Sequence, residues 1–141
     1  MRRFATYVMA VTMLAGAVLT AQQKVTTPEE LDKTMKAVGA AQGATGKAIN
    51  SMAYADARKS VAEIKQLLTG AEAFWVAKAK DDAVKMSKDV IANIDKLDAI
   101  LAAPTVDQAA ALGALKTAGC AGCHKAYRVG EAGNYSLAPG V

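Results

Sequence analysis

The residues of this chain best suited to chemistry are two cysteines and a histidine close to its C-terminal end. Cys120, Cys123 and His124 form a C-x-x-C-H motif that includes both cysteines and the single histidine of the sequence. On a helix, residues three and four positions apart share a face, so the two thiols can add to the two vinyl groups of a haem while the imidazole binds its iron. The motif therefore predicts one covalently attached haem c, with His124 as the proximal axial ligand.

Three other interpretations of this motif have weaker support in the sequence. A redox-active C-x-x-C pair of the thioredoxin type belongs in a βαβ unit, and the pattern along this chain is helical. Structural zinc requires four ligands of the Cys or His type, one more than the chain contains. A disulfide between Cys120 and Cys123 is compatible with an exported protein but leaves His124 without a role.

The N-terminal residues are typical of a secretory signal peptide. Arg2 and Arg3 precede an uncharged stretch over residues 4–19, and small or polar residues follow. We expect residues 1–21 to be removed on export, leaving residues 22–141 as one mature domain in the periplasm. The alternative is an uncleaved membrane anchor, since the apolar stretch is just short of a membrane-spanning helix.

Length, composition and charge limit the class of the mature protein. A chain of 141 residues is long enough for one well-buried core and too short for two ordinary domains. Hydrophobic residues make up 52% of the chain but aromatic residues only 5%, which favours helices packed through small side chains. Loss of Arg2 and Arg3 lowers the formal charge from +4 to +2. Without a cluster of basic and aromatic residues we expect no binding of nucleic acid, and none of membranes once the signal is cleaved.

The first helix has the clearest start. Thr27, Pro28 and Glu30 predict a capping box with proline at the first helical position. From there to about residue 50, uncharged side chains at spacings of four and three predict the inward stripe of a packed helix, formed by Leu31, Met35, Val38, Gln42, Thr45, Ile49 and Met52.

Two further helices follow from the same spacing. The second is predicted over residues 54–69, with a stop at Gly70. The third is predicted to begin within residues 74–78 and to end near residue 101, before Pro104. The side chains predicted to face inward are Ala57, Val61, Ile64 and Leu68 on the second helix, and Ala79, Ala83, Met86, Val90, Ile94, Leu97 and Leu101 on the third.

The fourth helix is predicted from Thr105 to about residue 129 by a second capping-box pattern, and the glycine-containing tail after it is expected to fray. Four amphipathic helices joined by short connections favour an all-α, antiparallel up-down-up-down bundle. In that topology the start of the first helix and the end of the fourth lie at the same end of the bundle. The C-x-x-C-H motif is therefore expected at that end.

Residues 120–128, at the C-terminal end of the last helix, resemble the haem-binding end of class II c-type cytochromes, namely cytochromes c′ and the related low-spin cytochromes c-556. Phe74 and Trp75 resemble an aromatic pair of that family. Met35 and Lys36 resemble its segment of helix 1 that faces the distal side of the haem. The resemblance covers essentially the whole mature chain, and it includes homodimer formation through the first two helices among the properties it implies.

The resemblance also implies which residues surround the haem. Trp75 and Tyr127 are expected to pack around the macrocycle, although aromatic residues at the end of a bundle also serve as ordinary core. Arg128 resembles the family's arginine on the proximal side, where it would pair with a haem propionate or shield His124 from water. The alternative for Arg128 is a surface cation favoured by the dipole at a helix C-terminus.

The ligand on the distal side of the iron is left open by the residues themselves. A second histidine is excluded because His124 is the only one, which leaves a methionine, a lysine or an empty site. Met52 lies about 35 Å along the first helix from its start, too far from the motif. Met35 and Met86 are both at a suitable height, and the resemblance favours Met35 because the family places its distal residue on helix 1.

Two functions correspond to these alternatives. With His124 and Met35 as ligands the iron has no vacant site, and methionine raises the reduction potential, so the chain is predicted to exchange electrons with redox partner proteins. If Met35 only packs in the core, the distal site is open and the protein is predicted to bind nitric oxide or other small gases. An enzyme is not expected, because no second histidine is present as acid or base for a peroxidase reaction.

Overall fold

The computed structural model describes residues 24–131 and 134–141, and 73% of these residues are helical. This confirms the predicted all-α class, with one short hairpin added after the last helix. The predicted signal peptide over residues 1–21 lies outside the described residues. In chain order the elements are α1 (Pro28–Asn50), α2 (Tyr54–Ala77), α3 (Asp81–Leu101), α4 (Gln108–Lys116), α5 (Cys120–Tyr127), β1 (Arg128–Glu131) and β2 (Asn134–Leu137).

Helix α1 starts at the predicted capping box. The Thr27 hydroxyl accepts a hydrogen bond from the Glu30 amide at 3.2 Å, and the Glu30 carboxylate accepts one from the Thr27 amide at 3.2 Å. The predicted end near Asn50 is also confirmed. The predicted inward position of Met52 is wrong, because this residue lies in the connection to α2 with a φ of 58° and is 68% exposed.

Helix α2 is longer than predicted. It runs through Gly70 to Ala77, so the predicted stop at Gly70 is wrong. The buried stripe continues past this glycine at the same spacing, through Leu68, Ala71 and Trp75. Burial of an apolar face stabilises the helix by more than the cost of one glycine, which is about 1 kcal/mol.

Helix α3 begins later than predicted, at Asp81 rather than within residues 74–78. In the connection from α2, Ala79 has a left-handed φ of 53°, which a right-handed helix does not contain. Ala79 is exposed and is not part of the inward stripe, whereas Ala83 is fully buried. Met86, also predicted to face inward, is half-buried.

The predicted fourth helix is in fact two helices. Asp107, not Thr105, caps α4, because its carboxylate accepts a hydrogen bond from the Ala110 amide at 2.9 Å. Helix α4 ends at Lys116, and α5 begins directly after Gly119. The φ of Gly119 is 99°, a value that glycine adopts far more readily than residues with a Cβ. The chain therefore changes direction immediately before the C-x-x-C-H motif.

The C-terminal tail, which was expected to fray, forms an antiparallel hairpin. Arg128 lies opposite Leu137, and Glu131 lies opposite Asn134. Gly130 has a φ of 99°, and a Cβ at this position would clash with the carbonyl oxygen of Asn134. Because β1 follows α5 without a connecting loop, the hairpin is held next to the motif.

The helices bury their apolar side chains in two hydrophobic clusters. Helix α1 packs against α2, α2 against α3, α3 against α4, and α4 against α1. The first cluster contains Val38, Ala41, Ile49, Ala57, Val61, Ile64, Leu68, Val90, Ile94, Leu97, Leu101, Ala111 and Ala118. The second cluster contains Val25, Leu31, Ala71, Phe74, Trp75 and Ala83. Within the described part of the chain, no helix has the length and hydrophobicity needed to cross a membrane.

Candidate haem attachment site

The C-x-x-C-H motif lies on α5, with its three key residues on one face. At 100° per residue, Cys120, Cys123 and His124 lie within about a third of a turn of one another, and Tyr127 falls among them. All four are half-buried, whereas the other residues of α5, Ala121, Gly122, Lys125 and Ala126, are exposed. The face that carries the motif is therefore turned toward the bundle.

Two hydrogen bonds near the start of α5 fix the orientation of the face that carries the motif. The Asn93 side chain on α3 donates a hydrogen bond to the Ala118 carbonyl at 3.3 Å. The Gln42 side chain on α1 donates one to the sulfur of Cys120 at 3.4 Å. Gly119, between these two contacts, supplies the left-handed turn. The first thiol is thus held between α1 and α3.

The two cysteines contact different hydrophobic clusters. Cys120 packs against the first cluster and Cys123 against the second. Both thiols are free, as attachment through two thioether bonds requires. Burial is the main cause that raises the pKa of the Cys123 thiol, and the negative charge of Asp82 raises it further. At neutral pH Cys123 is therefore protonated, which is the less nucleophilic form.

His124 has the protonation state that iron binding needs. Partial burial is the main cause that lowers the pKa of His124, and the positive charge of Arg128 lowers it further. The imidazole is therefore neutral at neutral pH, which is the form that ligates metals. In the described residues no three His, Cys, Asp or Glu side chains converge as a site for a bare metal ion.

Arg128, predicted on the proximal side, is the first residue of β1 and is exposed. Its guanidinium lies over the ring of Tyr135 on β2, 4.0 Å from the ring centroid. Its positive charge also contributes to the lowered pKa of His124. The contact with Tyr135 gives Arg128 a fixed position in the hairpin, and sequence spacing did not indicate it.

The two candidate distal methionines occupy different places. Met35 is half-buried and packs against both clusters, so it lies where the regions contacted by the two cysteines meet. Met86 approaches the other side of α5, since a Cβ at Gly122 would lie 3.9 Å from the Met86 sulfur. Gly122 is about 200° around the helix from both Cys120 and His124. The Met86 sulfur therefore lies near α5 on the side away from the imidazole.

The predicted aromatic residues form a connected group behind Cys123. Trp75 is 4% exposed, and its ring centroid lies 4.9 Å from that of Tyr127 and 5.1 Å from that of Phe74. The Tyr127 hydroxyl donates a short hydrogen bond to the carboxylate of Asp82. This bond raises the pKa of Tyr127 to about 12 and lowers the pKa of Asp82.

Asp82 and Gln42 are the site residues that sequence reasoning missed. Asp82 belongs to an acidic pair in the first turn of α3, which by itself indicates only a favourable interaction with the helix dipole. Gln42 was recognised only as one of the uncharged residues of the α1 stripe. A polar residue within an otherwise apolar stripe is the signal that could have marked Gln42 as the partner of a half-buried group.

An open cleft of about 600 Å³ lies beside Cys120, between α1 and the junction of α4 with α5. Its size is within the range of small-molecule sites. Gly43 lines the α1 side, and an added Cβ there, or at Gly39, would meet no atom within 4 Å. Cys120 contributes to the lining, whereas Cys123 and His124 do not. The free space thus adjoins one end of the motif.

Comparison with known proteins gives no relative for this chain: no family model, no curated protein and no solved structure matches it.

Proposed function

We propose that this chain is an exported class II c-type cytochrome that carries one haem c and transfers electrons in the periplasm. The observation that carries the proposal is the half-buried face of α5, where two free thiols and a neutral imidazole stand at the spacing that haem attachment needs. Cys120 and Cys123 would hold the haem, and His124 would be the proximal ligand. Each thiol would add across one vinyl group, with a carbon–sulfur bond formed and the thiol hydrogen passed to the neighbouring carbon, so that no oxidant is needed.

When bound, the haem supplies one-electron exchange between ferrous and ferric iron. The chain contributes the surroundings that set how easily this exchange occurs. The two clusters place apolar side chains against part of the inner side of α5, and a low dielectric around a redox centre tunes its potential. Met35, which contacts both clusters, is the proposed distal ligand, and a methionine ligand raises the potential.

The proposed architecture is the antiparallel up-down-up-down bundle, with α4 and α5 together as the fourth helix. Short connections support it, because residues 51–53 join α1 to α2 and residues 78–80 join α2 to α3. Connections of this length favour antiparallel neighbours. Packing of α4 against both α3 and α1 closes the ring of helices.

A second candidate function is the binding of nitric oxide or another small gas at an open distal site. The observation that favours it is that Met35 already has a packing role in both clusters, since an unbranched thioether fills gaps in hydrophobic cores well. In that case Met35 would line an apolar pocket rather than bind the iron.

Haem staining of the denatured, mature protein tests the attachment. We expect the wild type to stain and the double variant Cys120→Ala/Cys123→Ala to lose all staining. Gly122→Ala is the control within the motif, and we expect it to stain normally because an added Cβ has room beside Met86. Staining of the double variant at the wild-type level would refute covalent attachment. The intact mass of the wild type should equal a chain starting near residue 22 plus one haem.

A further inference from the structure

Helix α5 depends on contacts with the rest of the molecule for its position. It has eight residues, and its N-cap Gly119 supplies no side-chain hydrogen bond. Helices of fewer than about 12 residues are marginal on their own in water. The orientation of every side chain on α5, His124 included, is therefore set by the few groups that hold its two ends.

Several of the contacts that hold the C-terminal end of α5 come from one residue, Tyr127. The ring of Tyr127 packs against Trp75 of α2, with 4.9 Å between centroids and 45° between planes. Its hydroxyl donates a hydrogen bond to Asp82 of α3. Its backbone carbonyl accepts a hydrogen bond from the Ala138 amide, just after β2, at 3.0 Å. Tyr127 therefore joins α5 to α2, α3 and the chain that follows the hairpin.

We propose that Tyr127, fixed by Asp82 and Trp75, is a positioning residue that sets the orientation of the His124 imidazole. His124 precedes Tyr127 by three residues, and such pairs lie about 5–6 Å apart on the same helix face. A shift or rotation of α5 at Tyr127 therefore moves the imidazole with it. This inference rests on the proposed function, because it is the iron that makes the orientation of His124 matter.

The hydrogen bond to Asp82 is suited to fixing direction, and its contribution to stability is modest. Asp82 lies in the first turn of α3, where the helix dipole favours an ionised carboxylate, and a charged acceptor gives a shorter, more directional bond. Because Asp82 is exposed, solvent screens its net contribution to folding. Loss of the bond should therefore alter the environment of the iron while leaving the fold intact.

The test uses the haem-loaded protein and two variants that break the bond from either side, Tyr127→Phe and Asp82→Ala. We expect both to shift the reduction potential, and the paramagnetically shifted proton resonances of the His124 ring, in the same direction. The double variant should show no more shift than either single variant, because both remove the same bond. Asp82→Asn retains an acceptor oxygen and should restore part of the wild-type value.

Two controls match the change in chemistry. Asp81→Ala removes a neighbouring carboxylate from the same helical turn, and Tyr54→Phe removes a tyrosine hydroxyl at the start of α2. Both should leave the potential and the His124 resonances at their wild-type values. Asp82→Ala changes an exposed residue, so it keeps the test possible if Tyr127→Phe fails to fold.

The outcomes separate this inference from the proposed function. Haem-loaded Tyr127→Phe and Asp82→Ala variants with wild-type potentials and resonances would overturn the positioning role alone. Shifts that add in the double variant, or an equal shift in Asp81→Ala, would also overturn it, because they would arise from charge or from independent contacts. Absence of covalent haem from the wild-type chain would refute the proposed function, and the positioning role with it.

Discussion

At the scale of single residues, Met35 is where the two proposed functions, electron transfer and gas binding, differ. It is in contact with both hydrophobic clusters, whereas Met86 lies on the side of α5 away from His124. The two methionines are both half-buried and both on long helices. They therefore form a matched pair for testing which sulfur, if either, binds the iron.

We expect Met35→Ala to abolish the low-spin ferric spectrum and its methionine-to-iron charge-transfer band, and to lower the reduction potential, because an axial sulfur is lost. Met86→Ala should keep the low-spin spectrum and the wild-type reduction potential. Each variant should also lose free energy of unfolding, near the lower end of about 2–5 kcal/mol for Met→Ala in a core, since both are only partly buried. A low-spin spectrum unchanged in Met35→Ala would contradict the ligand assignment. A high-spin wild type that changes on addition of nitric oxide would support gas binding.

Tyr127 gives a second prediction at this scale, on alkaline stability. Its hydrogen bond to Asp82 raises the pKa of Tyr127 from 10 to about 12. The folded state therefore holds this proton more tightly than the unfolded state. The resulting stability is fully present below pH 10 and is lost as the pH rises to about 12.

Thermal unfolding followed by circular dichroism over that pH range measures this contribution. We expect the Tm of the wild type to fall more steeply from pH 10 to about pH 12 than the Tm of Tyr127→Phe, which has no phenolic proton to lose. The Tm of Tyr54→Phe should fall as steeply as the Tm of the wild type. Equal slopes for the wild type and Tyr127→Phe would contradict the role given to this hydrogen bond.

The sequence was informative about these residues only where they are close together along the chain. Cys120, Cys123 and His124 could be selected because their spacing alone defines a chemistry. The partners of the site could not, since Gln42 is 78 residues from Cys120 and Asp82 is 45 residues from Tyr127. Pairs this far apart meet only once the helices have packed, and no local pattern records which residues will meet.

At the scale of elements, the break between α4 and α5 determines where the motif points. Gly119 has a φ of 99°, and a Cβ there would lie 3.6 Å from Val90 and 3.7 Å from the Asn93 side chain. These are ordinary contacts, so the strain of a substitution would come from the backbone. Gly113, inside α4, has no atom within 4 Å of an added Cβ.

We expect Gly119→Ala to cost about 1–2 kcal/mol of unfolding free energy, because a residue with a Cβ is disfavoured in this left-handed conformation, and to reduce the fraction of protein that carries haem. Gly113→Ala should instead increase the unfolding free energy, by up to about 1 kcal/mol, because alanine has the better helix propensity. Urea unfolding measures both. A Gly119→Ala variant as stable as the wild type would show that this backbone conformation is not needed.

The bounds of the elements were predictable where a side chain marks them. The capping box of Thr27 and Glu30 defined the start of α1. The predicted end of α2 at Gly70 was wrong, because a glycine stop signal is weaker than a buried stripe that continues past it to Trp75. The break at Gly119 was missed because the residues around it also suit a continuous helix, and its cause is a backbone angle rather than a residue pattern.

At the scale of the whole molecule, the inward face of α5 packs directly against the bundle. Cys120 contacts one cluster and Cys123 the other, and Met35 lies at the junction of the two. Under the proposed function, a haem attached to these cysteines must enter between α5 and the bundle. The glycine before α5 and the cleft beside Cys120 would let the N-terminal end of this helix move to admit the haem while Tyr127 still holds its C-terminal end.

The mostly helical architecture was predictable because its stripes repeat over many turns, and averaging over a long helix makes periodicity reliable. The hairpin was not, since four-residue strands such as β1 and β2 give almost no periodic signal. Their pairing depends on Gly130, where the backbone of Asn134 approaches too closely for any side chain. Long periodic patterns therefore predicted the helices. The features that were not predicted, such as the break before α5 and the hairpin, depend on single glycines.

Covalent attachment of the haem is tested most directly by the absorption spectrum of the denatured, reduced protein in alkaline pyridine, taken after extraction with acidified organic solvent. Thioether bonds from Cys120 and Cys123 would saturate both vinyl groups of the haem, which would move its main visible band to shorter wavelength and keep the pigment with the protein. We expect the spectrum of a haem with two saturated vinyl groups, in the protein fraction and in equal amount to the chain. A colourless protein, or a haem with intact vinyl groups in the solvent, would contradict covalent attachment through Cys120 and Cys123.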